Sequence, residues 1–176
     1  MDYVINLMNI PYKYYLIVGI LFIIMLVLDL LYFGRKRQIS GNLIAATILL
    51  PYLYFVLAVT ILSRVPFQGV HHELHLFWSY QAYREGVSFL LMENILNVFM
   101  LMPIGLVIPF AGRFFDFKKT LAIGFCISLA IETIQLISER GLFELDDIFH
   151  NTLGVVIGYA VYKLFCMIYS KYRKSE

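Results

Sequence analysis

Five long apolar segments constrain this chain more than any other feature: residues 14–33, 43–62, 89–110, 120–137 and 152–169. A helix needs about 20 mostly apolar residues to cross a ~30 Å hydrocarbon core at ~1.5 Å per residue. The last two segments are slightly short, so their ends are soft. Helices are the expected form, because open strands in lipid leave backbone groups unpaired. Composition agrees. The chain is 61% hydrophobic and 15% charged, against about 45–50% apolar and about 25% charged in soluble domains. The expected fold class is all-α: a polytopic integral membrane helical bundle of about five transmembrane helices, with residues 1–176 as a single membrane domain. Only Lys13 precedes the first apolar run, which is too long for a signal h-region; it is read as a span and not a cleaved signal. The net charge of +2 gives no bulk attraction to nucleic acid. Cys126 and Cys166 fall inside apolar segments and read as buried free thiols, not as a disulfide framework.

The basic residues choose an orientation. With the N-terminus outside, the inner segments hold nine: Arg35, Lys36, Arg37, Arg113, Lys118, Lys119, Lys171, Arg173 and Lys174. The outer segments hold four, Lys13, Arg64, Arg84 and Arg140. Lys163 sits near the inner end of the fifth span and can snorkel. The bias follows the positive-inside rule, so the N-terminus is expected outside and the C-terminus inside. Glu73, Glu85, Glu139, Glu144, Asp146 and Asp147 then all fall on the outer side. Residues 63–88 form a long outer connection. Trp78, Tyr80 and Tyr83 suit an interfacial aromatic belt, and residues 73–84 are expected to lie along the membrane surface.

Ionisable residues inside a span cost roughly 2.5–3.5 kcal/mol on insertion scales, so each needs a reason. In the third span Asn94 and Asn97 share a helix side, and Pro103 is expected to kink the helix below them. In the fourth, Gly124, Ser128, Glu132 and Gln135 fall on one stripe. Around the start of the fifth, Asp147, Asn151, Gly154 and Gly158 share a side. Gly154 and Gly158 form a small-xxx-small pair that permits close helix packing. Three helices thus bring carboxylates and carboxamides to one depth, with Arg64 and Arg140 beside them. The ligand-binding candidates are Arg64, Asn94, Asn97, Glu132, Gln135, Arg140, Asp146, Asp147 and Asn151. The plain alternative is interhelical glue for Asn94, Asn97 and Gln135, and end anchors for Arg64 and Arg140. It fits Glu132 less well, since a buried acid must find a partner or a proton.

His71 and His75 stand four apart, but His71-His72-Glu73-Leu74-His75 is not H-E-x-x-H. A headgroup-facing loop explains it better than a metal, and no metal site is assigned. Asp29 reads as an interfacial acid facing Arg35–Arg37. No phosphate loop, nucleophile elbow or CxxC pair is present, so no catalytic residue and no cofactor is assigned.

The polar residues carry a resemblance. Asn94 and Asn97, followed by Pro103-Ile104-Gly105, resemble the N-x-x-N…P-x-G element of the VanZ-like family. Glu132-Thr133-Ile134-Gln135 resembles its E-x-x-Q element. Arg140, Asp146-Asp147 and Asn151-Thr152-Leu153-Gly154 with Gly158 resemble its R…D-D/x…N-T-L-G-x-x-x-G ending, and Arg64 after an apolar span also fits. The resemblance covers about residues 52–162, with the first helix outside its strong part. It implies a small multi-pass protein of the bacterial cell (cytoplasmic) membrane. The family's namesake is associated with resistance to teicoplanin, a glycopeptide that attacks cell-wall precursors outside the membrane.

Three functions remain open. The first is binding or modulating a cell-envelope component, such as a lipid-linked cell-wall precursor, at an outer polar pocket. Arg64 and Arg140 would then meet phosphates, and Glu132, Asp146 and Asp147 would meet ammonium groups or a metal ion. The second is an intramembrane enzyme with Glu132 as general acid or base, and Asp146 and Asp147 holding a cation. The third is a transporter, or a structural partner of other membrane proteins. The scarcity of polar groups in the inner half counts against a through-pathway.

Overall fold

A computed structural model describes residues 11–36, 41–66, 68–69, 72–112 and 114–173, without the side chains of 33–36. Arg37, His71, Arg113, Lys174 and the side chains of Arg35 and Lys36 lie outside the described residues. The elements are α1 (Tyr12–Lys36), α2 (Gly41–Leu57) continued by a π-helical turn (Ala58–Leu62), β1 (His72–Glu73), α3 (Trp78–Arg84), α4 (Phe89–Val107) with a 3-10 turn (Ile108–Ala111), α5 (Phe117–Ile137), β2 (Phe143–Glu144) and α6 (Leu145–Arg173). Five helices are long and apolar enough to span a membrane: Tyr12–Tyr32, Gly41–Leu62, Phe89–Ala111, Phe117–Ile137 and Leu145–Arg173. They are the five expected from hydropathy. The fifth, however, starts at Leu145 and not near residue 152. Hydropathy discounted Asp146, Asp147 and Asn151, but helix geometry does not. These residues form its first two turns, where acids also favour the positive end of the helix dipole.

The tightest packing joins α4 to α6. A Cβ at Gly154 would overlap the Val98 carbonyl, one at Gly158 the Met102 carbonyl, and one at Gly105 the Val155 carbonyl. Backbone meets backbone here, in the small-residue contact that membrane helices use when lipid supplies no hydrophobic drive. Gly124 of α5 faces the Val155 side chain and brings the third helix to the same spot. Val56, Leu101, Ile104, Ile108, Ile131 and Val155 form the buried core around it.

α1 is peripheral. Tyr14 is buried and Val18, Leu21, Met25 and Asp29 are half-buried, one stripe at helical spacing, while its other faces are exposed. Two polar contacts hold its ends. The Tyr14 hydroxyl donates to the Leu62 carbonyl at 2.9 Å, and the Thr47 hydroxyl meets the Asp29 carboxylate. Asp29 therefore meets α2, while the side chains of Arg35–Arg37, its expected partners, lie outside the described residues. Cys126 and Cys166 are exposed, not buried. An apolar segment in this fold can turn a cysteine toward lipid as readily as toward the core.

The described part of the connection at residues 63–88 is tied to the loop before α6 by a pairing that hydropathy does not register. β1 and β2 pair in parallel, His72 with Phe143 and Glu73 with Glu144. α3 follows, with Leu74, Leu76, Phe77 and Tyr83 exposed around it.

Gly154→Ala and Gly158→Ala should each destabilise the protein by about 1–3 kcal/mol, because the obstructing atoms are backbone and cannot swing aside. Thermal melting in detergent reads this directly. Unchanged melting in both variants would contradict the contact.

Candidate functional site

One end of the bundle gathers nearly every polar group of the spans. It holds the end of α2, the start of α4, the end of α5 and the start of α6. Three tiers can be distinguished.

The tier nearest the connection is a clamp. Asp146 is fully buried. Its carboxylate accepts from the backbone N–H of Phe77, from that of Ser79 at 3.1 Å, and from the Ser79 hydroxyl. It thus serves as an N-cap for α3 supplied by another helix, satisfying donors that a helix start leaves open. Asn94 donates to Ser79 Oγ at 2.9 Å. His150 Nδ1 lies 2.6 Å from the Asp146 carbonyl oxygen, so it carries the proton, and Nε2 accepts from Tyr80 OH at 2.8 Å. Trp78 Nε1 donates to Glu144 Oε2 at 3.1 Å. Asp146 and Asn94, both candidates from sequence, are therefore occupied in holding the connection. Ser79 and His150 were not anticipated; a serine in a short helix and a histidine near the start of a long one are too common to single out.

The middle tier is a carboxylate cluster. Glu132 is 1% exposed, and its Oε2 accepts from the Glu144 N–H at 3.1 Å. Asp147, Glu93 and Glu144 act electrostatically on one another, Asp147 and Glu144 act on Glu132, and Arg64 acts on Glu93, Glu132 and Asp147. Asn97 reaches the Asp147 carboxylate. Arg64 is placed by an absence. A Cβ at Gly141 would stand 2.9 Å from Arg64 Nη1 and 3.0 Å from Gln135 Cδ, so the missing side chain leaves room for both. α5 delivers Gly141 there by ending on Glu139 in a left-handed conformation (φ 56°), which folds Arg140 N–H back onto the Gln135 carbonyl. Glu93 and Glu144 were not among the expected site residues. Glu93 stands one helical turn before Asn97 and could have been found by that spacing. Glu144 depends on the path of a loop.

The floor is made of carboxamides. Asn151 donates to Ser128 Oγ at 3.1 Å, and Gln135 donates to the Thr60 carbonyl at 3.1 Å. Both amide oxygens, Gln135 Oε1 and Asn151 Oδ1, are buried with no hydrogen-bond partner.

Arg140 stands apart. Its Nη1 donates to the carbonyls of Ile61 and Leu62 at 3.2 and 3.4 Å. It closes the π-helical end of α2 beside Tyr14. Among the described residues, no group of three or more His, Cys, Asp or Glu side chains could hold a metal ion.

The chain matches the family model VanZ/LLP1 over residues 14–166. It belongs to the VanZ/LLP1 family. No curated protein and no solved structure matches it. The matched region takes in α1 as well as the stretch that carries the motif resemblance. In this VanZ/LLP1 chain the two asparagines, the E-x-x-Q pair and the D-D/N-T-L-G segment converge on one end of the bundle, while the two arginines part company.

Glu144 lies outside the spans, and burial pushes its carboxyl up to about 8. Asp147 adds to this, the Trp78 hydrogen bond opposes it, and Glu93 and Asp146 raise it further. A carboxyl raised by folding stabilises the folded state fully below its unfolded pKa, and that contribution is lost as pH rises through the folded value. Melting temperature in detergent should therefore fall between about pH 5 and about pH 8. Glu144→Gln should reduce the fall. A slope identical to wild type would argue against a buried, protonatable Glu144.

Proposed function

We propose that this VanZ/LLP1-family protein binds an amine-bearing component of the cell envelope at the carboxylate cluster, and acts as a binder or modulator. The supporting observation is the sign of the site. Arg64 acts electrostatically on Glu93, Glu132 and Asp147, Glu144 joins the same cluster through Glu93, Glu132 and Asp147, and the orphaned floor atoms are both acceptors. An ammonium brings three donors and a positive charge to such a lining. A phosphate would have to displace the acids from Arg64, and Arg140, the second arginine, is spent on the end of α2. The partner is an aminated headgroup or the amine of a lipid-linked peptide.

The positive-inside bias puts this end at the outer leaflet of the bacterial cytoplasmic membrane. An effect on glycopeptide susceptibility, teicoplanin included, would then be indirect, through the envelope component held there. Single cysteines replacing Gln68 and Phe143, in a chain lacking Cys126 and Cys166, should react with an impermeant thiol reagent on intact cells. One replacing Lys118 should not. Labelling at Lys118 alone would reverse the orientation and remove the outer-leaflet ligand with it.

The binding reading separates two residues that the motif treats alike. Glu132→Gln should weaken the preference for an amine-bearing lipid about tenfold, with membrane abundance intact, since one charged contact is lost. Arg140→Ala should lower abundance, because it opens two helix-end carbonyls at about 1.5–3 kcal/mol. Native mass spectrometry with phosphatidylethanolamine and phosphatidylglycerol, beside immunoblots of membranes, reads both. Loss of abundance in Glu132→Gln would return the cluster to a purely structural role. Turnover of a lipid phosphate by the purified protein would make it an enzyme.

A further inference from the structure

Residues 72–80 cross the polar end of the bundle as a strap. β1 pairs with the loop before α6, His72 beside Phe143 and Glu73 beside Glu144. Asp146 of α6 then accepts from the N–H groups of Phe77 and Ser79 and from the Ser79 hydroxyl, and Asn94 of α4 donates to that hydroxyl oxygen. The strap therefore bridges the two helices that supply Glu93, Asn97 and Asp147 to the carboxylate cluster. Its backbone is strained where it is latched. Phe77 is left-handed (φ 69°), a conformation rare for a bulky side chain. Asp146 and the Phe149 ring, 5.1 Å away between centroids, hold it there.

Glu144 joins the strap to the cluster. Its backbone N–H donates to Glu132 Oε2 at 3.1 Å, and its own Oε2 accepts from Trp78 Nε1 at 3.1 Å. Two of the cluster's carboxylate oxygens are thus taken by donors of the strap and of the loop paired with it. Glu132 is 1% exposed, so a ligand reaches it only when a neighbouring element moves. α4 and α6 are locked backbone to backbone by glycines. The strap is held by side-chain hydrogen bonds and a two-residue pairing, and is the element that can open locally.

We infer that the strap is a gate coupled to occupancy of the cluster: a cation bound by Glu132 and Glu144 takes over the two oxygens that hold the Glu144 N–H and the Trp78 indole, and the strap lifts. An ammonium brings three donors and a full charge, where the amide and the indole bring one donor each and no charge. Once Glu144 turns to the cation, Trp78 loses its acceptor and the short β1–β2 pair loses its anchor. Relief at Phe77 favours the same movement. Linkage makes the coupling reciprocal, so whatever pins the strap weakens the cation by the same factor. The coupling rests on the cationic ligand proposed above; the strap as a barrier in front of Glu132 does not.

The test reads both directions of the coupling in the full-length protein in detergent, with phosphatidylethanolamine as the amine probe and phosphatidylglycerol as its control. Phosphatidylethanolamine should speed amide hydrogen exchange over residues 77–79 about tenfold, and phosphatidylglycerol should leave it unchanged. His72→Cys with Phe143→Cys, in a chain lacking Cys126 and Cys166, pins the strap by a disulfide, since paired strands stand ~4.8 Å apart. The oxidised form should bind phosphatidylethanolamine about tenfold more weakly than the reduced form. Trp78→Phe keeps a ring and removes the indole donor, so it should preserve binding and lose most of the exchange response. Exchange indifferent to bound phosphatidylethanolamine, equal affinity of the oxidised and reduced forms, or a full response in Trp78→Phe would each overturn the coupling through Glu144. A wild type without preference for phosphatidylethanolamine would remove the cationic ligand and the coupling with it. The barrier is then read alone. Glu132→Cys, added to the cysteine pair, should react with 2-aminoethyl methanethiosulfonate about tenfold more slowly when the pair was oxidised beforehand. An equal rate would remove the gate as well.

Discussion

The contact between α4 and α6 sets everything above it. Gly105, Gly154 and Gly158 let the two backbones touch, and helices that touch backbone to backbone have almost no freedom to rotate or slide. Asn94 and Asn97 on one helix must then face Asp147 and Asn151 on the other, one to three turns higher. α5 joins through Gly124 against Val155, which carries Ser128 to Asn151 and Glu132 to the same level. A polar site inside a membrane is costly unless its members are placed to satisfy one another. Here that placement is inherited from glycines that carry no chemistry of their own.

The site divides labour between neighbours. Asp146 and Asp147 are adjacent in sequence and about 100° apart on the helix. One turns to α3 and is saturated by Phe77 and Ser79; the other turns inward to Asn97, Arg64 and the remaining acids. The arginines divide likewise. Arg140 closes a helix end, while Arg64 lies over Gly141 among carboxylates. The clamp formed by Asp146, His150, Tyr80 and Trp78 fixes the connection across the cluster, so ordering of that connection and geometry of the cluster are coupled. The acids there outnumber Arg64, and the buried amide oxygens of Gln135 and Asn151 have no hydrogen-bond partner.

Much of this was legible in the chain itself. Hydropathy located all five spans; helical spacing put Asn94, Asn97, Glu132, Gln135, Asp147 and Asn151 near one depth, and the structure spreads them over a clamp, a cluster and a floor. The small-xxx-small pair at Gly154 and Gly158 announced a close contact. Glu93 could have joined the candidates by its four-residue distance from Asn97. Glu144 could not, because it reaches the site through a turn and a two-residue parallel pairing that carry no periodic signal. The inward reading of Cys126 and Cys166 failed for a related reason: an apolar residue in lipid gains nothing by turning inward, so hydropathy says nothing about its direction.

The sequence by itself therefore determined the number of helices, their membrane setting, and the height of each polar residue on its own helix. These follow from length, from hydropathy and from the fixed rise of 1.5 Å per residue. Tertiary structure alone decided which polar residues clamp the connection and which gather in the carboxylate cluster. Periodicity gives a residue's angle on its own helix, but not that helix's rotation against its neighbours or the path of the loops between them. Asp146 and Asp147, or Arg64 and Arg140, are alike until a close glycine contact and an ordered connection give each a different surrounding.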